Sequence, residues 1–152
     1  MKYVVNPDSL SDPKLIQNLL ANAQKREEFE LAKSCRRRIA NLAGLPFEDP
    51  MERRFWQIVG AFEQLKTEEN GRATRSSQTR LKAAKVGIVK TVEDLLNQAK
   101  PAVGLLQLKD AGLGAYAFEC LALEFPDQFS EKALAGAKSR LLENEMALPD
   151  AA

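Results

Sequence analysis

The chain is expected to fold as an all-α protein, a single compact domain of seven or eight short helices. Apolar residues recur at three- and four-residue spacing through most of the chain. No stretch beyond the first few residues alternates with the period of a strand. Its 152 residues, 45% of them hydrophobic, suit one domain with a real core.

Residues 1–11 read as an extended start or a loop. Ser11-Asp12-Pro13 supplies an N-cap with Pro in the first turn. Leu15, Ile16, Leu19, Leu20 and Ala23 then follow at helical spacing, which predicts a helix over about 12–24. A second helix is expected over about 26–43, with Phe29, Ala32, Cys35 or Arg36, Ile39 and Leu42 on one side and Gly44 just past its end. Glu27, Glu28 and Glu30 near its start, and Lys33, Arg36, Arg37 and Arg38 near its end, complement the helix dipole. Three adjacent arginines cannot share one helix face, so at most two would contact a single ligand.

The segment LAGLPFEDP links to a third helix, which starts at Asp49-Pro50. Phe55, Ile58, Val59, Phe62 and Leu65 form its apolar stripe, with Trp56 beside it, and Asn70-Gly71 ends it. Residues 71–76 read as a loop. A fourth helix covers Ser77–Val86 and stops at Gly87. Thr91-Val92-Glu93-Asp94 reads as the cap of a fifth, with Val92, Leu95, Leu96 and Ala99 inward. Pro101 opens a sixth, ending at Gly112 or Gly114. Ala115–Phe125 forms a seventh, with Tyr116, Ala117, Leu121 and Phe125 suited to burial, and Pro126 stops it. Ser130 caps the last helix, with Leu134, Ala137 and Leu141 inward, and the tail MALPDAA is expected to fray. Residues 12–44 thus make a helical hairpin, and 50–145 hold the remaining helices around one core. No internal repeat argues for a solenoid.

There is no histidine, which removes His triads, His general bases and His-containing zinc sites. Cys35 and Cys120 form no CxxC pair and cannot complete a Cys-only zinc site. They read as small buried hydrophobes in a reducing, cytoplasmic setting. No signal peptide is visible, and no apolar run approaches the roughly 20 residues that span a bilayer. PDSLSDPK has the letters of a metal-nuclease pattern at Pro7, Asp8, Asp12 and Lys14. That chemistry needs carboxylates on adjacent strands, and here Pro13 breaks any strand and the spacing is too tight. No phosphate loop or GxGxxG is present, and GLGA at 112–115 is a helix connection. No catalytic residue, metal or cofactor is therefore expected. An enzyme using carboxylates and a divalent ion would need at least three acids converging in a cleft.

One segment is strongly one-sided. Residues 70–92 carry Arg72, Arg75, Arg80, Lys82, Lys85 and Lys90 and no acid, on a chain whose net charge is only +1. Such segregation creates a field that the overall charge conceals. Thr74, Ser76 and Ser77 add short donors suited to phosphate oxygens. Gly71 lets the backbone approach closely, and the start of the fourth helix favours an anion. The candidate nucleic-acid-binding set is therefore Arg72, Thr74, Arg75, Ser76, Ser77, Arg80, Lys82 and Lys85. The competing reading is a solvated surface whose arginines pair with Glu63, Glu68 and Glu69, or a face for an acidic protein. A helix-turn-helix over 79–97, built on Ala83, Gly87 and Val92 or Leu95, fits less well than two core helices joined by glycine. Its inward aliphatic falls one place early, and Glu93-Asp94 would bring acids to DNA.

Residues 16–42, IQNLLANAQKREEFELAKSCRRRIANL, resemble the UVR motif of bacterial excision-repair proteins. Phe29-Glu30, Ala32, Arg36 and Ile39 match its second helix. Lys33, Cys35 and Arg37 depart from a usual alanine, leucine and acid. The resemblance covers under a fifth of the chain. It implies a protein-interaction hairpin and no reaction.

The sequence thus points to a non-enzymatic accessory protein of bacterial type that binds nucleic acid, DNA favoured, through residues 70–90. Five or six engaged phosphates would give a salt slope of about −5. The alternative is a helical adaptor, or small subunit of a larger complex, that docks through the 12–44 hairpin.

Overall fold

The computed structural model describes residues 5–98 and 104–152. Among the described residues the protein is all-α, with eight α-helices and no strand. In chain order these are α1 (Pro13–Lys25), α2 (Phe29–Gly44), α3 (Pro50–Asn70), α4 (Ser77–Val86), α5 (Ile88–Leu96), α6 (Leu105–Asp110), α7 (Phe118–Glu124) and α8 (Glu131–Glu143). Short 3-10 turns lie at Pro7–Ser9 and Pro126–Gln128.

The strongest local signals behave as expected. Asp12 accepts from the Lys14 N–H at 3.0 Å, with Pro13 opening α1. Of the two aspartates of the nuclease-like string, Asp12 is thus a helix cap, and Asp8 lies in a 3-10 turn that Asn6 caps. Asp49 caps α3 through the Glu52 N–H, and Gly71 ends it at φ 70°. Ser130 caps α8 through the Ala133 N–H.

Other boundaries move, each for a tertiary reason. α2 starts at Phe29 because Glu27 takes φ 56° in the hairpin turn, and Phe29 itself is 64% exposed instead of inward. Gly44 is the last residue of α2 and not a left-handed cap. A Cβ there would lie 2.6 Å from the Arg53 carbonyl oxygen, so only glycine lets α2 come this close to α3. α2 runs from Phe29 to Gly44, close to the expected end, and Arg36, Arg37 and Arg38 sit at its middle, away from the dipole's end. α5 starts at Ile88, directly after Gly87 at φ 87°. Thr91 is fully buried and donates to the Gly87 carbonyl at 2.7 Å, so it is no cap. α7 is shorter than expected because the chain is extended at Ala117. α6 begins at Leu105, while the expected start at Pro101 and the inward Ala99 lie outside the described residues. The tail packs instead of fraying: Met146 is buried and the Ala152 N–H donates to the Glu124 carbonyl.

Two apolar clusters hold the helices. The larger lies among α3, α5, α6, α7 and α8, with Phe55, Ile58, Val92, Leu108, Leu121 and Leu141 buried at its centre. The smaller lies inside the hairpin, from Ile16, Leu20, Ala23, Ala32 and Cys35. A polar network joins hairpin to α3. Gln17 donates to Gln64 at 2.6 Å, and Arg36 grips the Glu68 carboxylate at 2.9–3.1 Å. Arg36 and Arg37 also reach the adjacent carbonyls of Ala111 and Gly112 after α6, while Arg38 turns to the Leu10 carbonyl. They tie segments together and form no shared ligand site.

Candidate nucleic-acid interface

The basic segment begins where α3 ends. Thr74 fastens the loop: its N–H donates to Thr67 Oγ1 at 3.0 Å, and its hydroxyl donates to the Arg72 carbonyl at 2.9 Å. The next N–H groups open α4, the position where a bound anion is expected. An anion is already there, and it belongs to the protein. Glu63 of α3 accepts from the Ser76 N–H at 2.8 Å.

Arg80 completes that anchor. Its Nε and Nη2 donate to both Glu63 oxygens at 2.6 and 2.7 Å, and its guanidinium lies 5.2 Å from the Trp56 ring centre. Burial pushes the Glu63 carboxyl up, but the bonds from Arg80 and Ser76 outweigh it and hold the group below its usual range. Lys82 pairs with Asp94 at 2.8 Å, and Lys90 reaches the same carboxylate at 2.9 Å. Hydrogen bonds from Lys82 and Lys90 hold Asp94 below its usual range. The solvated-surface reading therefore applies to Arg80, Lys82 and Lys90: Glu63 pairs with Arg80, and the single Asp94 carboxylate is shared by both lysines.

What remains is smaller and more coherent. Arg72, Arg75, Ser77 and Lys85 are exposed. No ion pair involves Arg72, Arg75 or Lys85 among the described residues. Arg75 still lies near enough to Glu63 to lower its pKa. Ser77, Gln78, Leu81, Ala84 and Lys85 share one outer face of α4, as helical spacing requires, and all five are exposed. Ser77 to Lys85 spans about 12 Å of helix, with Arg75 in the loop just before it, the reach of three or four phosphates on one strand.

The helix-turn-helix option is closed by geometry. Gly87 alone separates α4 from α5, where that motif uses three or four residues. α5 buries Thr91, Val92 and Leu96, and its Glu93 is occupied by the Ser130 N–H and hydroxyl at 2.8 Å. Its exposed Lys90 is paired with Asp94 one turn on.

Beside α4 lies a feature that sequence reasoning missed. A half-open cleft of about 450 Å³ is lined by residues of α3, α4, α5, α6 and α7, Glu119 among them. Glu119 is 1% exposed, and burial pushes its carboxyl up against the pull of its own N–H and Arg140. Its Oε2 has no hydrogen-bond partner, and Arg140 Nη1, also without one, stands 3.9 Å away. A glutamate in the middle of an apolar run, FECLAL, was the only available hint.

Cys35 and Cys120 are buried free thiols, and burial pushes Cys120 up to about 11. Among the described residues no group of three or more Cys, Asp and Glu side chains is placed to hold a metal, and no helix is long and apolar enough to cross a membrane. Comparison with protein-family models, curated proteins and solved structures finds no match.

Proposed function

We propose that the protein is a non-enzymatic accessory protein that binds nucleic acid, DNA favoured, through the loop at 72–76 and the outer face of α4. The observation that carries this reading is the charge left over. Glu63 pairs with Arg80 and Asp94 is shared by Lys82 and Lys90, whereas the exposed cations Arg72, Arg75 and Lys85 are in no ion pair among the described residues. They flank Ser77 and Gln78, both exposed, which can meet phosphate and sugar oxygens. Arg80 and Lys82 become positioning residues that hold α4 in place, and Thr74 and Ser76 shape the loop.

The smaller set changes the number to be measured. Three engaged phosphates give a slope of log affinity against log salt of about −3, not about −5. Arg75→Ala and Lys85→Ala should each flatten that slope by about 1 and leave the helical signal intact. A flat response in the unmodified protein, or a slope unchanged by both substitutions, overturns the reading.

A second reading has its own support. Phe29, 64% exposed, sits at the turn of the α1–α2 hairpin, the segment that resembles a UVR-type interaction hairpin. Leu15, 52% exposed, lies about 15 Å further along α1, so the two do not form one patch. A protein partner docked at the hairpin tip would lose affinity in Phe29→Ala and ignore Arg75→Ala. Nucleic-acid binding predicts the reverse.

A further inference from the structure

α4 has no fully buried residue, whereas each of the other seven α-helices described has at least one. It is held from behind, by Arg80 on Glu63, by Lys82 on Asp94 and by Ala83 against the main core. At about 100° per residue, Ser77, Gln78, Leu81, Ala84 and Lys85 fall within about 120° of its circumference, with Leu81 at the centre. All five are exposed, and Leu81, at 66%, is the most exposed large hydrophobic residue among the described ones.

The chemistry of this face exceeds that of a phosphate clamp. Its cations stand at the ends, Arg72 and Arg75 before the helix and Lys85 in its last turn. The middle, Gln78, Leu81 and Ala84, is uncharged. Leu81 gains nothing from a phosphate and would strip water from one. A ligand that fits presents anions at two edges, with amide-pairing and apolar groups between them. The major groove of duplex DNA has that layout: phosphate strands run along both rims, and base edges form the floor. It is about 12 Å wide, and an α-helix with its side chains is about 10–12 Å across.

We infer that α4 enters the major groove of duplex DNA and favours A·T pairs there. This rests on the nucleic-acid reading and adds base edges to it. The Gln78 amide accepts from adenine N6 and donates to adenine N7, a pattern that no other base offers in that groove. Leu81 and Ala84 cover the thymine C5-methyl, which cytosine lacks. Gln78 and Leu81 lie nearly one turn apart, about 5–6 Å between Cβ atoms, against about 3.4 Å per base pair, so they meet neighbouring pairs. Ser77 stays with the phosphates at the rim.

The test measures the affinity of the full chain for labelled duplexes by fluorescence anisotropy. One duplex is all A·T, in mixed order; one is all G·C; the third is the A·T duplex with uracil for thymine, which removes only the methyl groups. The A·T duplex should bind about tenfold more tightly than the G·C duplex, the worth of one modest bidentate base contact. Uracil should weaken binding about fourfold, the worth of one buried methyl group. Gln78→Ala should erase most of the A·T preference, and Leu81→Ala most of the difference between thymine and uracil. Neither should change the salt slope or the helical signal, because both side chains are exposed and uncharged. Three results overturn the groove assignment and leave the surface reading standing, provided that binding still weakens with salt: equal affinity for the A·T and G·C duplexes, an A·T preference blind to uracil, or one that survives both substitutions. No salt-dependent binding to any duplex overturns both.

Discussion

Glu63 is where the structure departs most from a plain reading of the basic segment. A single carboxylate satisfies the Ser76 N–H and both arms of Arg80, and its own side chain is only 14% exposed. Its pKa is held below 4.5 in the folded protein. A depressed carboxylate stabilises the fold above its unfolded pKa, and that contribution is lost as pH falls through the folded value. Glu63→Gln should therefore cost about 1–3 kcal/mol near neutral pH, the range for hydrogen bonds to charged groups. The gap from the unmodified protein should close as pH falls below 4.5. Urea midpoints followed by Trp56 fluorescence measure this directly, since Arg80 lies over that ring. Equal midpoints at pH 7 would mean that Arg80 is solvated and free to bind phosphate.

At the scale of elements, the existence of helices was legible and several boundaries were not. Caps such as Asp12-Pro13, Asp49-Pro50 and Ser130 act within one turn, so neighbouring residues reveal them. The ends of α2 and the start of α5 depend on what lies across the packing interface. Gly44 resembled a stop, yet it lies inside α2 because the Arg53 carbonyl needs its missing Cβ. Two effects oppose each other in Gly44→Ala. Helix propensity favours alanine by about 1 kcal/mol. Overpacking costs about 1–3 kcal/mol, and the clashing atom at 2.6 Å is a backbone oxygen that cannot rotate away. Overpacking should win, lowering the urea midpoint; a raised midpoint would show that α2 and α3 separate easily.

Across the whole molecule, charge and apolar packing divide the labour unevenly, and this explains why the site was only half legible. The run of basic residues could be counted in sequence, but the acids that cancel part of it come from α3 and α5. Glu119 and Arg140 meet only through packing of α7 against α8, which no local pattern reveals. The same division predicts how the molecule opens. α4 has no fully buried residue and is held by the Glu63–Arg80 and Lys82–Asp94 pairs, by Arg80 over Trp56 and by the partly buried Ala83. α3 buries Phe55, Ile58, Val59, Gly60 and Ala61 in the main core. Hydrogen exchange should thus show α4 amides opening locally at low free energy, while those of Phe55 to Ala61 exchange only with global unfolding. Adding duplex DNA should protect α4 and the loop before it, leaving α1 and α2 unchanged, because only the first pair lies on the proposed contact. Protection appearing instead around Phe29 would move the binding surface to the hairpin. Exchange in α4 as slow as in α3 would mean that its two ion pairs and sparse packing hold a helix as firmly as a core does, against the modest worth of partly exposed pairs.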